Sequence, residues 1–178
     1  MSATAVLVID MLNTYDHPDA EALAASVAEV IGPITQLIST ARDRDDVELI
    51  YVNDNHGDFS AGRHELARAA LHGERPELVK PIVPDADCTF LTKVRHSAFY
   101  ATPLDYLLGR HETERIVLAG QVTEQCILYS ALDGYIRHLE VVVPPNAVAH
   151  IFPELGEAAL KMMERNMGAD LTPVEKCL

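Results

Sequence analysis

At 178 residues, with 48% hydrophobic, 23% charged and 6% aromatic content, the chain has the profile of one globular domain able to bury a full core, and not of two domains or a disordered segment. Lys and Arg number 14 against 27 Asp and Glu, a formal charge of −13, so phosphate backbones and anionic membrane surfaces are repelled, which argues against nucleic acid and membrane partners. Three widely spaced cysteines, Cys88, Cys126 and Cys177, form no CxxC pair and are odd in number, which argues against disulfides or structural zinc and for a reducing, cytoplasmic setting.

Met1–Ala5 carries no basic residue and leads straight into Ala5–Asp10, a short Val/Ile/Leu-rich run that reads as a first strand rather than a signal peptide. No apolar run reaches membrane-spanning length by this reading. Leu23, Val27, Val30, Ile34 and Leu37 recur at helical spacing from an N-cap at Asp19 to about Ala41, with a bend expected at Gly32-Pro33. Val47–Asn53 reads as a second strand, the polar Asp54–Gly62 as a loop, and Arg63–Leu71 as a short helix; Pro76, Pro81 and Pro84 then impose an irregular stretch. Thr89–Lys93 is a third strand. Thr102-Pro103 looks like an N-cap with proline at the first helical position, opening a helix over Leu104–Leu108 that stops at Gly109. Arg115–Gly120 is a fourth strand, Thr123 to about Arg137 a helix, and Leu139–Val143 a fifth strand ended by Pro144-Pro145. Pro153–Met167 is a helix closed by Gly168, and Ala169–Val174 a sixth strand.

Strands alternating with helices, with no linker, repeat or low-complexity tract, predict a single three-layer α/β/α domain over 1–178, Rossmann-like, with a central and mainly parallel six-stranded sheet. Ligands of such sheets bind beyond the carboxyl ends of the strands. Asp10 closes the first strand, Lys93 closes the third, and Cys126 follows the fourth, so the fold brings a carboxylate, an ammonium and a thiol to one edge. Each alone has an ordinary reading, as a loop cap, a solvated lysine or a small core residue. If Thr123 is the N-cap, Cys126 occupies the third helical position, where the helix macrodipole lowers a thiol pKa and a nearby Lys93 lowers it further, with Glu124 opposing. Neither G-x-G-x-x-G nor a P-loop is present, so no cofactor is implied.

These residues and their surroundings, AVLVIDMLN at 5–13, LIYVNDNHGD at 49–58, LTKVRHSAFYATPLDYLL at 91–108 and VLAGQVTEQCILYSALDGYIRHLEVVVPPNAVA at 117–149, resemble the isochorismatase-like cysteine hydrolases, which include nicotinamidases, N-carbamoylsarcosine amidohydrolases and ureidoacrylate amidohydrolases. The resemblance covers nearly the whole chain. It implies that Asp10, Lys93 and Cys126 form a catalytic triad, that the Gln121–Val122 peptide is cis, and that the backbone N–H groups of Val122 and Cys126 form an oxyanion hole. Hydrolysis of an amide or ureide C–N bond in a small molecule, through a thioester on Cys126, is the activity it implies. Family members are commonly dimers or tetramers, so a homodimer or homotetramer is expected.

The resemblance also bears on the pocket and on metal. The H-S-A-F-Y-A-T segment at 96–102 is similar to the family's S-A-F-x-G-T loop, so Phe99 and Tyr100 are candidate pocket residues, with Asn53, Asp54 and Gln121. Nicotinamidases hold a divalent metal through an Asp-x-His pair, which Asp54 and His56 match, with His64 or His72 as further ligands at a spacing that departs from their pattern. The favoured reading is no metal, with Asn53, Asp54 and Asn55 hydrogen-bonding a loop near the pocket. Two alternatives to a hydrolase are a thiol redox or electrophile sensor and a non-catalytic binding protein of the same fold.

Overall fold

The computed structural model describes residues 4–178. Its order is β1 (Thr4–Ile9), α1 (Ala20–Arg42), β2 (Val47–Asp54), α2 (Arg63–Leu71), α3 (Pro76–Val79), β3 (Thr89–Lys93), α4 (Leu104–Arg110), β4 (Arg115–Gln121), α5 (Leu128–Ile136), β5 (Glu140–Val142), β6 (Val148–Ala149) and α6 (Pro153–Met167). The sheet runs β3-β2-β1-β4-β5, with β6 pairing the far end of β4, and every pairing is parallel.

Parallel strands covered on both faces must be apolar on both. In β1, Val6 and Val8 enter the core under α1, while Ala5, Leu7 and Ile9 enter the one under α5 and α6. Val117 and Ala119 against Ile116 and Leu118 repeat this division in β4. The chain leaves β1 toward β2 and β3 on one side and returns to β4 and β5 on the other. A crevice therefore opens beyond the carboxyl ends of β1 and β4, where the strand order reverses.

Several boundaries differ from the sequence reading. By length and apolar content α1 would suffice to cross a membrane, contrary to expectation, but Leu23, Val27, Ile34, Leu37 and Ala41 are buried against the rest of the domain. It runs unbroken through Pro33; Gly32 before it has no Cβ to meet the proline ring. Asp19 holds the N-cap position without a side-chain bond. Pro76 stands at the first position of the short α3, where a missing N–H costs nothing, so the proline-rich stretch is partly helical. At α4 the cap position falls on Pro103, although the Thr102 hydroxyl still accepts the Leu104 N–H at 3.3 Å, and the helix passes through Gly109 to Arg110.

The sixth strand is Val148–Ala149, not Ala169–Val174. The tail makes one bridge to the sheet, Asp170 to Val142, and then turns because the Asp170 carboxylate accepts the Thr172 N–H and hydroxyl. The segment expected to be one helix from Thr123 begins as a π-helical turn, Thr123–Ile127, and continues as α5.

Candidate active site

Asp10 follows β1 with φ +56°, a left-handed conformation uncommon for a residue with a side chain. Its carboxylate is held from two sides: Oδ1 accepts the Asp54 N–H at 2.7 Å, and Oδ2 lies 2.8 Å from Lys93 Nζ. Lys93, the last residue of β3, is 0% exposed. Its Nζ also lies 3.3 Å from Asp54 Oδ2 and 3.6 Å from Cys126 Sγ, so three acceptors meet its three N–H donors. Burial works to lower the Lys93 pKa, but the Asp10 carboxylate, with Cys126 and Asp54, outweighs it and raises the pKa, keeping the ammonium charged.

Cys126 lies in the π-helical turn with 8% of its surface exposed. Burial pushes its thiol pKa well up and the Asp10 charge adds to the rise, while Lys93 opposes it. The expected lowering by the helix dipole is therefore corrected: desolvation dominates. Val122 takes the cap position in place of Thr123, so Cys126 sits one residue deeper than expected. Glu124 turns away, its Oε1 accepting the Ile151 and Phe152 N–H groups at the start of α6, where the helix dipole favours a carboxylate.

The floor beside the thiol comes from the end of β4. Gly120 has φ +118°, and a Cβ there would overlap the Ile9 carbonyl, so only glycine lets β4 lie this close to β1. Gln121 donates from Nε2 to the Asp10 carbonyl at 2.7 Å, and the Gln121–Val122 peptide is cis. Asp10, Asp54, Gln121, Val122 and Cys126 together line an open cavity of about 450 Å³.

Other candidates lie elsewhere. Asn53 is buried beneath the site: its side chain accepts the Leu12 N–H at 2.9 Å and donates to the Leu12 carbonyl at 3.2 Å, fixing the chain after Asp10. Phe99 is buried under the Arg137 guanidinium, 4.7 Å from its ring centre, and Tyr100 is 58% exposed; neither lines the cavity. His96, for which the sequence offers no partner, does line it, with Nδ1 3.9 Å from Cys126 Sγ and its ring beside Tyr129. Its place three residues after Lys93 was the available signal. The loop after β1 supplies Asn13, Asp16, His17 and Asp19 to the mouth, which no periodicity marks.

Asp54 and His56 do not fit a metal site. The Asp54 oxygens already accept the His56 N–H and face Lys93. His64 lies beside the Arg63 guanidinium, and His72 Nδ1 is 2.8 Å from the Arg68 carbonyl. Among the described residues the one grouping of three ligand-type side chains is Asp85, Asp87 and Cys88, elsewhere on the surface.

Comparison with known proteins matches an isochorismatase domain to residues 4–176. The chain is 31% identical to the uncharacterized isochorismatase family protein YaaI of Bacillus subtilis over 175 residues, covering 98% of this chain and 96% of that protein. It is 26% identical to the ureidoacrylate amidohydrolase RutB of Methylorubrum extorquens, over 99% of this chain and 83% of that one. An isochorismatase-like hydrolase structure from Alkaliphilus metalliredigens superposes with a TM-score of 0.77 at 23% identity, over 98% of this chain and 96% of the other.

Proposed function

The chain belongs to the isochorismatase domain family, and from that premise we propose that it is a cysteine-dependent hydrolase of an amide or ureide C–N bond in a small molecule, working through a thioester. The observation that carries the reading is the contact of one buried ammonium, Lys93, with both the Asp10 carboxylate and the Cys126 sulfur inside an open cavity.

With its pKa raised by burial, the Cys126 thiol needs a base to take its proton as it attacks, and Asp10 is the carboxylate beside it. Asp10 takes the Sγ proton, and sulfur bonds to the substrate carbonyl carbon. The carbonyl electron pair moves to oxygen, where the backbone N–H groups of Val122 and Cys126 receive it. Collapse of the intermediate breaks the C–N bond, and Asp10 returns its proton to the departing nitrogen. Water then adds to the thioester while Asp10 takes one of its protons. The C–S bond breaks, the acid leaves, and Asp10 reprotonates sulfur. Throughout, Lys93 holds Asp10 in position and lowers the cost of negative charge on sulfur.

A redox-sensing role would need an exposed thiol of low pKa, whereas Cys126 is nearly buried and its pKa is raised. Ammonia release from a panel of small primary amides and ureido compounds, by the native chain and by Cys126→Ala, tests the reading. Turnover is expected to fall by at least about a thousandfold in the variant. Hydrolysis that survives loss of the thiol, or no release from any compound, would overturn it.

A further inference from the structure

Resting on that reading, we infer that the cavity selects amides whose remaining groups are neutral or cationic and rejects those that carry a carboxylate. The charged groups lining it are Asp10, Asp16, Asp19 and Asp54, beside His17, His56 and His96, with no Arg or Lys among them. The nearest ammonium, Lys93, is fully buried, and its three donors are committed to Asp10, Asp54 and Cys126. It has none left for a substrate anion. Asp16 and Asp19 stand exposed at the mouth and form no ion pair among the described residues.

Gln121 offers no donor to a substrate anion either: it is 1% exposed, and its Nε2 is spent on the Asp10 carbonyl. One feature pulls the other way: Asp19 and Leu23 bring the N-terminus of α1 to the cavity. That end carries roughly half a positive charge, which the two full charges of Asp16 and Asp19 outweigh. Acids of the ureidoacrylate type, which give one relative its name, are therefore expected to be disfavoured here.

Three amides of one carbon length test this: succinamate (anionic), butyramide (neutral) and 4-aminobutyramide (cationic). The kcat/KM for succinamate is expected to lie at least about tenfold below the other two, and the gap to narrow in Asp16→Asn/Asp19→Asn. Equal or better turnover of succinamate would overturn the inference. A second measurement needs no turnover. Alkylation of Cys126 by iodoacetate and by iodoacetamide is followed at that cysteine by mass spectrometry, with glutathione as the reference thiol. The native protein is expected to disfavour iodoacetate more than glutathione does, by about tenfold, and the double variant to lose most of that bias. A native ratio equal to that of glutathione, or one the double variant leaves unchanged, would overturn the inference. If no amide is hydrolysed but the alkylation bias holds, the hydrolase reading falls and the charge selection stands.

Discussion

Lys93 is a charge that the fold has buried and then satisfied completely, so its partners depend on it as much as it depends on them. Replacing it with methionine leaves Asp10 and Asp54 facing each other with no cation, and removal of one member of such a group costs about 3–5 kcal/mol. Urea unfolding of Lys93→Met is expected to show a loss of that size. Adding Asp10→Asn is expected to recover part of it without restoring activity, a coupling that a double-mutant cycle reads directly. Asp10, Lys93 and Cys126 could be picked out of the sequence because each ends or follows a recognisable strand, and parallel strands deliver their ends to one edge. That Asn53 would hydrogen-bond a loop near the pocket was also legible, but its partner was not, since the two bonds go to the backbone of Leu12, 41 residues away. The same limit applies to the thiol: the sequence placed Cys126 at a helix start, where a dipole acts, but desolvation depends on what covers it, and only the packed structure supplies that.

The longer elements with clear patterning were legible, whereas α3, the π-helical turn and β6 were not. Val148–Ala149 is too brief to show any period, whereas the apolar tail after Gly168 imitates a strand while making a single bridge. The π-helical turn adds one residue to a helical repeat and leaves the apolar pattern nearly intact, so Thr123 looked like a cap. Glycines separate the two kinds of constraint. Gly120→Ala would drive a Cβ into the Ile9 backbone at a φ that side chains rarely adopt, and is expected to cost about 3 kcal/mol or more and to disturb the turn bearing Cys126. Gly109, inside α4, has open space where a Cβ would go, so Gly109→Ala is expected to gain about 0.5–1 kcal/mol. Thermal unfolding of the two variants should move the midpoint in opposite directions.

Across the whole molecule, several buried groups titrate late. Burial raises the Cys126 and Tyr15 pKa values, that of Tyr15 from 10.0 to about 12, and the carboxylates around Lys93 raise its pKa against burial. Groups whose pKa is raised by folding stabilise the native state below their unfolded values and lose that contribution as pH climbs through the folded ones. The thermal midpoint is therefore expected to hold between pH 7 and about 9 and to fall steeply above about pH 10, with Tyr15 alone accounting for about 2 kcal/mol by pH 12. A midpoint that stays level to pH 11.5 would contradict the burial assigned to these groups. The pairing of β4 has a consequence in time as well as in space. Its first half is joined by β5, but Gly120 and Gln121 are joined by Val148 and Ala149, more than 25 residues later in the chain. A ribosome releasing this protein exposes the strand that leads to Cys126 before the segment that completes its border, so that corner cannot close until Val148 and Ala149 have emerged.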